Sequence, residues 1–143
     1  MLTPNRIETI IFDLGGVLID WNPRYLYRKI LKTEDEITFF LENICTSEWN
    51  DQQDAGRSFD EAIRELIGRH PDWTESIQAW GSRWQETIKG PVQGTVDILK
   101  EIKQSNGYRL YALTNWAAET FPWALANFEF LHWFEGILGS GVA

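Results

Sequence analysis

A single carboxylate stands between an apolar segment and two glycines. Residues 10–17, with the letters IIFDLGGV, place Asp13 at this position, followed by Gly15 and Gly16. An apolar run without alternation is typical of a strand that is buried on both faces, so we predict that Asp13 lies at the carboxyl end of such a strand. Open α/β sheets bind ligands at that end, and the glycines let the backbone turn and approach a ligand closely. A carboxylate in this position is suited to nucleophilic attack on a phosphate; the alternative is an Asp that caps a turn.

A second strand-like segment ends in a hydroxyl and an amide. Residues 108–113, with the letters YRLYAL, are predicted to form a second buried strand, and Thr114 and Asn115 follow it directly. These two residues therefore occupy a strand terminus much as Asp13 does. The alternative for both is local hydrogen bonding within a turn. Residues 136–138 predict a third strand.

Composition limits the classes of function. The chain has 143 residues, enough for one domain or a small core with an insertion, and a formal net charge of -8. This charge argues against a nucleic acid or an anionic membrane as partner and is easier to reconcile with a small diffusible substrate. Cys45 is the only cysteine, which excludes an intrachain disulfide and suits a reducing cytoplasm. With no signal-like or membrane-spanning apolar stretch, we predict a soluble cytoplasmic protein.

Residues 22–89 are predicted to be a helical insertion. Asn22 with Pro23 marks the start of one helix through residue 30, and two capping boxes mark two more. The boxes are Thr33 with Glu36 and Ser58 with Glu61. Aromatic and aliphatic residues at spacings of three and four predict one further amphipathic helix, at Trp73, Ile77, Trp80, Trp84 and Ile88.

The predicted core consists of residues 1–21 and 90–143. The break at residues 89–91, with the letters KGP, is the expected boundary between the insertion and the core. A helix from about residue 96 is expected to end in a left-handed cap at Asn106 or Gly107. Another helix is predicted over residues 118–127, with Pro122 tolerated only near its first turn.

The segments FDLGGVLID and LYALTNW, separated by the helical insertion, resemble the haloacid dehalogenase (HAD) superfamily. More narrowly, the chain is similar to the phosphatase-like branch with a small helical cap after the first strand, and to bacterial sugar-phosphate phosphatases within it. The similarity includes the cap segment SEWNDQQDAGRSFDEA and the later segment TNWAAETFPWALANFEFLHWFEGIL. It implies an α/β fold, a HAD-like Rossmannoid parallel sheet, incomplete here, with an inserted helical cap.

The resemblance also implies roles for individual residues. Asp13 matches the nucleophile that attacks phosphorus and becomes an aspartyl-phosphate. A bound Mg²⁺ would hold the Asp13 carboxylate and the backbone carbonyl of Gly15. Thr114 matches the hydroxyl that hydrogen-bonds a phosphoryl oxygen, and the backbone N–H of Asn115 is a second donor. The implied partner is a small phosphorylated metabolite.

The chain departs from the superfamily pattern at Gly15. Most phosphatases of the group carry an Asp there, as general acid toward the leaving alkoxide and base toward water. General acid catalysis is typically worth about 10²- to 10⁴-fold in rate, so its loss matters unless the leaving group is easily expelled. The anomeric oxygen of a sugar 1-phosphate leaves more readily than an ordinary alkoxide. A sugar phosphate is therefore the favoured substrate hypothesis.

A second departure concerns the motifs that the family places after a third strand. The family's Lys and its acidic metal ligands lie beyond the position of Ala143. We therefore expect a poor catalyst, and a fragment or truncated relative of a longer enzyme. The sheet would have an open hydrophobic edge at Ile10 and Ile11, which predicts pairing with another chain or self-association.

In the insertion, Trp49, Asn50, Gln53 and Arg57 are expected to share a helix face or its end. Caps of this family close over the active site, so Arg57 is a candidate contact for a substrate hydroxyl or phosphate. The alternative is an ordinary solvated helix face.

Three functions remain open at this point. The first is a Mg²⁺-dependent phosphatase. The second is a dehalogenase-like hydrolase of the same fold, in which Asp13 attacks carbon and no metal is needed. The third is a non-catalytic fragment or binding module.

Overall fold

The computed structural model describes residues 7–140. The two ends of the predicted core, residues 1–6 and 141–143, lie outside this range. In chain order the strands and helices are β1 (Thr9–Asp13), β2 (Ile19–Trp21), α1 (Arg24–Tyr27), α2 (Glu34–Asn43), α3 (Ser47–Asp54), α4 (Phe59–Arg69), α5 (Thr74–Ser82), β3 (Ile88–Pro91), α6 (Gln93–Ser105), β4 (Arg109–Thr114), α7 (Phe121–Asn127) and β5 (Gly136–Gly139). Short 3₁₀ helices span Pro71–Trp73, Trp84–Thr87 and Glu129–Trp133. The predicted α/β class is confirmed.

The sheet that carries Asp13 has three parallel strands in the order β1-β4-β5. Asp13 pairs with Leu113, and Thr114 pairs with Gly139. Because adjacent parallel strands end at the same edge of a sheet, the last residues of β1 and β4 are neighbours. This register positions the site described below.

Only one face of this sheet is covered by described residues. Leu110 and Ala112 are buried on the covered face, whereas Ile11, Leu113 and Leu138 on the other face are 64%, 55% and 60% exposed. Side chains alternate between the faces of a strand, so an apolar run fills both faces whether or not each is covered. The prediction that β1 is buried on both faces is therefore wrong for the described part of the chain. Self-association through the open sheet stays a prediction.

Local capping signals predicted the starts of two helices correctly. The Thr33 hydroxyl accepts a hydrogen bond from the Glu36 N–H at 3.1 Å, and the Ser58 hydroxyl accepts one from the Glu61 N–H at 3.2 Å. Each satisfies a backbone donor that has no partner within the helix. The left-handed cap after α6 is also confirmed, with φ 57° at Asn106.

The predicted helix through residue 88 is wrong beyond Ser82. Trp84 lies in a 3₁₀ helix, and Ile88 begins β3, which pairs with β2 in an antiparallel ribbon. The expected boundary at residues 89–91 therefore lies within β3, where Gly90 has φ 147°. The periodic apolar residues could not predict this, because strand pairing depends on a partner far away in the chain.

Two other helices are shorter than predicted. The helix expected through residue 30 is a single turn, α1, although the Asn22 side chain does accept a hydrogen bond from the Arg24 N–H at 3.0 Å. The helix expected from residue 118 begins at Phe121, with Pro122 in its first turn as required.

Helices α1 to α5, which we call the helical insertion, lie between β2 and β3 and pack around aromatic side chains. Trp49 and Trp80 meet edge to face, with ring centroids 5.4 Å apart. Trp84, just after the insertion, contacts Trp116 and Trp123 of the core at centroid distances of 5.9 and 5.8 Å. These contacts fix the end of the insertion beside the segment that follows β4. Among the described helices, none combines the length and apolarity needed to cross a bilayer.

Candidate active site

Asp13 is presented by a tight loop at the end of β1. Its Oδ1 accepts a hydrogen bond from the Leu14 N–H at 2.8 Å, which leaves Oδ2 free of this bond. Leu14 and Leu18 are fully buried and anchor the loop, and Gly16 turns the chain with φ 77°. The carboxylate therefore stands exposed on a loop that is held by its own apolar neighbours.

The structure brings Asp13, Thr114 and Asn115 together. All three line an open cavity of about 310 Å³, together with Ile11 and Leu113 from the uncovered face of the sheet. Thr114 is 5% exposed, and its hydroxyl makes no hydrogen bond to another described residue. The arrangement places one carboxylate, one hydroxyl and a backbone turn around a space that can accept an anionic group.

The residues around Asp13 fit a hard cation such as Mg²⁺. The carboxylate of Asp13 and the carbonyl of Gly15 are oxygen ligands, and the Gly15 carbonyl accepts no hydrogen bond among the described residues. Residues 7–140 hold no group of three or more His, Cys, Asp and Glu side chains that could bind a metal ion. Mg²⁺ often keeps several waters and uses one or two carboxylates plus a phosphate, so two protein oxygens are compatible with it.

A second, narrower cavity of about 80 Å³ lies between the helical insertion and the core. Its lining residues are Gly15, Trp21, Asn50, Asp54, Phe59, Trp84, Asn115, Trp116, Ala117 and Thr120. Asn115 lines both cavities. Four of these residues are aromatic, and Asp54 is the one acidic side chain among them. The narrower cavity therefore suits an organic group attached to a phosphate.

The sequence interpretation missed Asp54. It is the last residue of α3, one helical turn after Asn50, and both side chains line the narrower cavity. Burial, with the charge of Asp51 as a smaller cause, raises the pKa of Asp54 from 3.8 to about 6. The i,i+4 pair of Asn50 and Asp54 was the available signal, but only the fold shows that this helix face meets the core.

Replacing Asp54 with Asn is expected to stabilise the protein at pH 7. Folding raises the pKa of this carboxyl, so its ionised form destabilises the folded state. The stability of the unmodified protein therefore falls as pH rises from about 4 to about 6, and an Asn side chain, which stays neutral, avoids this loss. After a discount for its partial exposure, the gain for D54N is on the order of 1 kcal/mol at pH 7. Denaturant unfolding at pH 7 and pH 4 checks this. A gain that is equal at both pH values contradicts it.

Arg57 is placed elsewhere. Its guanidinium donates to the side chain of Gln52 at 2.6 Å and forms an ion pair with Glu65, and it lines neither cavity. Gln53, from the same expected face, is buried inside the insertion, where its Nε2 donates to the Trp49 carbonyl at 2.8 Å. The structure thus groups Arg57 with its helix neighbours and not with Asp13.

A charged contact holds the insertion to the core beside the narrower cavity. The Glu119 carboxylate accepts a hydrogen bond from the Phe59 N–H, the first residue of α4, at 2.6 Å. A carboxylate at a helix N-terminus is favoured by the helix dipole as well as by the hydrogen bond. Because Phe59 lines the cavity, this contact closes one of its walls.

No protein-family model matches the chain, and no curated protein does. Solved structures do match. A magnesium complex of a HAD-family enzyme from Bacteroides thetaiotaomicron has a TM-score of 0.64 and 19% identity, over 94% of this chain and 68% of that one. The magnesium-bound HAD-hydrolase YfnB from Bacillus subtilis has a TM-score of 0.62 and 17% identity, over 93% and 65%. A protein from Thermotoga maritima described as a β-phosphoglucomutase has a TM-score of 0.55 and 19% identity, over 92% of this chain and 61% of that one.

At these identities the likeness concerns the fold. It confirms the predicted HAD-like parallel sheet with a helical insertion, and the chain spans about two thirds of the length of these structures.

Proposed function

We propose that this chain, which has the HAD fold, is a Mg²⁺-dependent phosphatase that hydrolyses a small phosphate monoester through Asp13. One observation carries the proposal. Asp13 at the end of β1 shares a cavity with Thr114 and Asn115 at the end of the adjacent parallel strand. A carboxylate, a hydroxyl and backbone N–H groups around one open space are the groups that phosphoryl transfer by an Asp nucleophile needs.

In this mechanism the free oxygen of Asp13 attacks phosphorus while the bond to the leaving oxygen breaks. The result is an aspartyl-phosphate, which water then attacks at phosphorus to release inorganic phosphate and restore the carboxylate. The Thr114 hydroxyl and the Asn115 N–H donate to phosphoryl oxygens and hold the group in line with Asp13. When bound by Asp13 and Gly15, Mg²⁺ would supply positive charge against the phosphoryl oxygens.

The solved structures support this choice of ligand and metal. A HAD-family enzyme of Bacteroides thetaiotaomicron, with a TM-score of 0.60 and 17% identity, is a complex with magnesium and inorganic phosphate. The net charge of -8 also favours a small metabolite over a polyanionic partner. Within the proposal, the substrate is a small phosphorylated metabolite such as a sugar phosphate, and the protein acts in the cytoplasm.

We expect phosphate release from p-nitrophenyl phosphate in Mg²⁺ and its loss when EDTA removes the metal, because the phosphoryl charge then lacks its cation. Restoring Mg²⁺ should restore the rate. A rate that is unchanged in EDTA contradicts the metal requirement.

A dehalogenase is the second candidate, because Gly15 leaves Asp13 without an adjacent acid, and a structure described as a dehalogenase matches with a TM-score of 0.55 and 15% identity. Chloride release from a 2-chloroacid that persists in EDTA, without phosphate release, would favour it. If the protein releases neither anion, yet folds, the binding-module alternative stands in place of both enzymes.

A further inference from the structure

Gly15 has no side chain to transfer a proton to the leaving group, and the space beside it is open. A Cβ atom built on Gly15 meets no atom within 4 Å, so no described side chain fills the position directly. Gly15 nevertheless lines the narrower cavity, and so does Asp54, which belongs to α3. A carboxyl group is therefore present in the cavity, although it comes from the helical insertion and not from the loop.

The two cavities together define where each half of a substrate can lie. The open cavity holds Asp13 and Thr114, and the narrower one holds Asp54 and the aromatic walls. Asn115 lines both, so a substrate with its phosphate in the first cavity and its organic group in the second would pass beside Asn115. In that placement its leaving oxygen would lie toward the cavity that Asp54 lines.

We propose that Asp54 is the acid and base of the reaction, taking the role for which Gly15 has no side chain. This rests on the proposed phosphatase function and assigns it a further catalytic residue. Asp54 has the freedom that the role requires, because its carboxyl makes no hydrogen bond and no ion pair with another described residue.

The proton balance of the two steps is complete. In the first step Asp13 forms a bond to phosphorus, the bond to the leaving oxygen breaks, and the proton of the Asp54 carboxyl passes to that oxygen, so the product leaves as an alcohol. In the second step water attacks phosphorus, the bond from Asp13 to phosphorus breaks, and the proton of the water passes to the Asp54 carboxylate. Asp54 ends protonated, ready for the next cycle.

The surroundings of Asp54 favour its neutral form. The other lining residues of the narrower cavity carry no charge, and the neighbouring charge that acts on Asp54 is that of Asp51, also on α3. Burial raises the pKa of Asp54 to about 6, and Asp51 adds to this. A carboxyl held partly protonated near neutral pH can both give and take a proton.

Substrates with different leaving groups test the proposal. For D54N we expect kcat/KM for an alkyl phosphate such as glycerol 1-phosphate to fall by about 10²- to 10⁴-fold, because the alkoxide then leaves without a proton. For p-nitrophenyl phosphate, whose phenolate needs no proton to leave, we expect little change in the phosphorylation step. The rate of the unmodified protein on the alkyl phosphate should fall as pH rises above about 6, and D54N should lack this dependence.

Asp51 provides the matched control. D51N removes the neighbouring charge that raises the pKa of Asp54, so it should move the fall in the alkyl phosphate rate to lower pH and leave the p-nitrophenyl phosphate rate unchanged. An equal loss of kcat/KM on both substrates, in a D54N protein that melts no earlier than the unmodified protein, would overturn the proposal, and so would no loss on either. The proposed function fails separately, if the unmodified protein hydrolyses neither phosphate.

Discussion

Replacement of Asp13 by Asn is expected to lower kcat/KM for p-nitrophenyl phosphate by at least about 10³-fold, since loss of a nucleophile removes the covalent route altogether. The Asn side chain keeps an oxygen that can accept from the Leu14 N–H, as Asp13 Oδ1 does at 2.8 Å, so the loop should keep its shape. Steady-state kinetics in Mg²⁺, together with a thermal melt, measure both effects.

Asp20 is a matched control for this variant. It lies in β2, its carboxylate is held by the Tyr25 hydroxyl at 2.8 Å, and it lines neither cavity. D20N should therefore keep most of the activity. If D13N and D20N are equally active, Asp13 is not the nucleophile.

The second large effect is expected at Thr114. T114V keeps the shape of the side chain but removes the hydroxyl of a residue that lines the open cavity, so we expect kcat to fall by about 10²- to 10³-fold, the usual cost of one donor to a transition-state oxyanion. T114S restores a hydroxyl at the same position and should recover most of the rate.

A thermal melt distinguishes the loss of the Thr114 hydroxyl from misfolding. The Thr114 hydroxyl makes no hydrogen bond to another described residue, so T114V should melt close to the unmodified protein. A T114V protein with normal kcat, or a T114S protein as slow as T114V, contradicts a role for the hydroxyl.

The parts of the fold that the sequence predicted are those that local chemistry decides. Thr33 and Ser58 cap their helices because each hydroxyl lies three residues from the N–H that it accepts from. Asp13 ends β1 because the apolar run stops there and Gly15 and Gly16 follow. Each of these can be inferred from a few neighbouring residues.

What the sequence could not predict depends on distant partners. Ile88 fits a helical repeat but begins a strand, because β2 lies beside it in the fold. Ile11 belongs to an apolar run but is exposed, because no described residues cover that face of the sheet. Asp54 has an unusual pKa only because α3 meets the core and excludes water from its carboxyl.

The candidate site also contains residues that the sequence could identify and residues that only the fold could identify. Asp13, Thr114 and Asn115 could be selected from strand ends and from the family resemblance, and they do share a cavity. Arg57 was selected from its helix position and from the way caps of the family close over the active site, and its ion pair with Glu65 explains its position without a substrate. The insertion residues that do line the narrower cavity are Asn50, which was expected on the same helix face as Arg57, and Asp54 and Phe59.

The central claim, that Asp13 carries the phosphoryl group, is tested most directly by trapping the intermediate. The protein is mixed with Mg²⁺ and p-nitrophenyl phosphate, quenched in acid within a turnover, and its peptides are examined by mass spectrometry. We expect a phosphoryl group on the peptide that contains Asp13, and none in D13N. Phosphate release with no phosphoryl group on Asp13 at any quench time, or with the group on another residue, would contradict it.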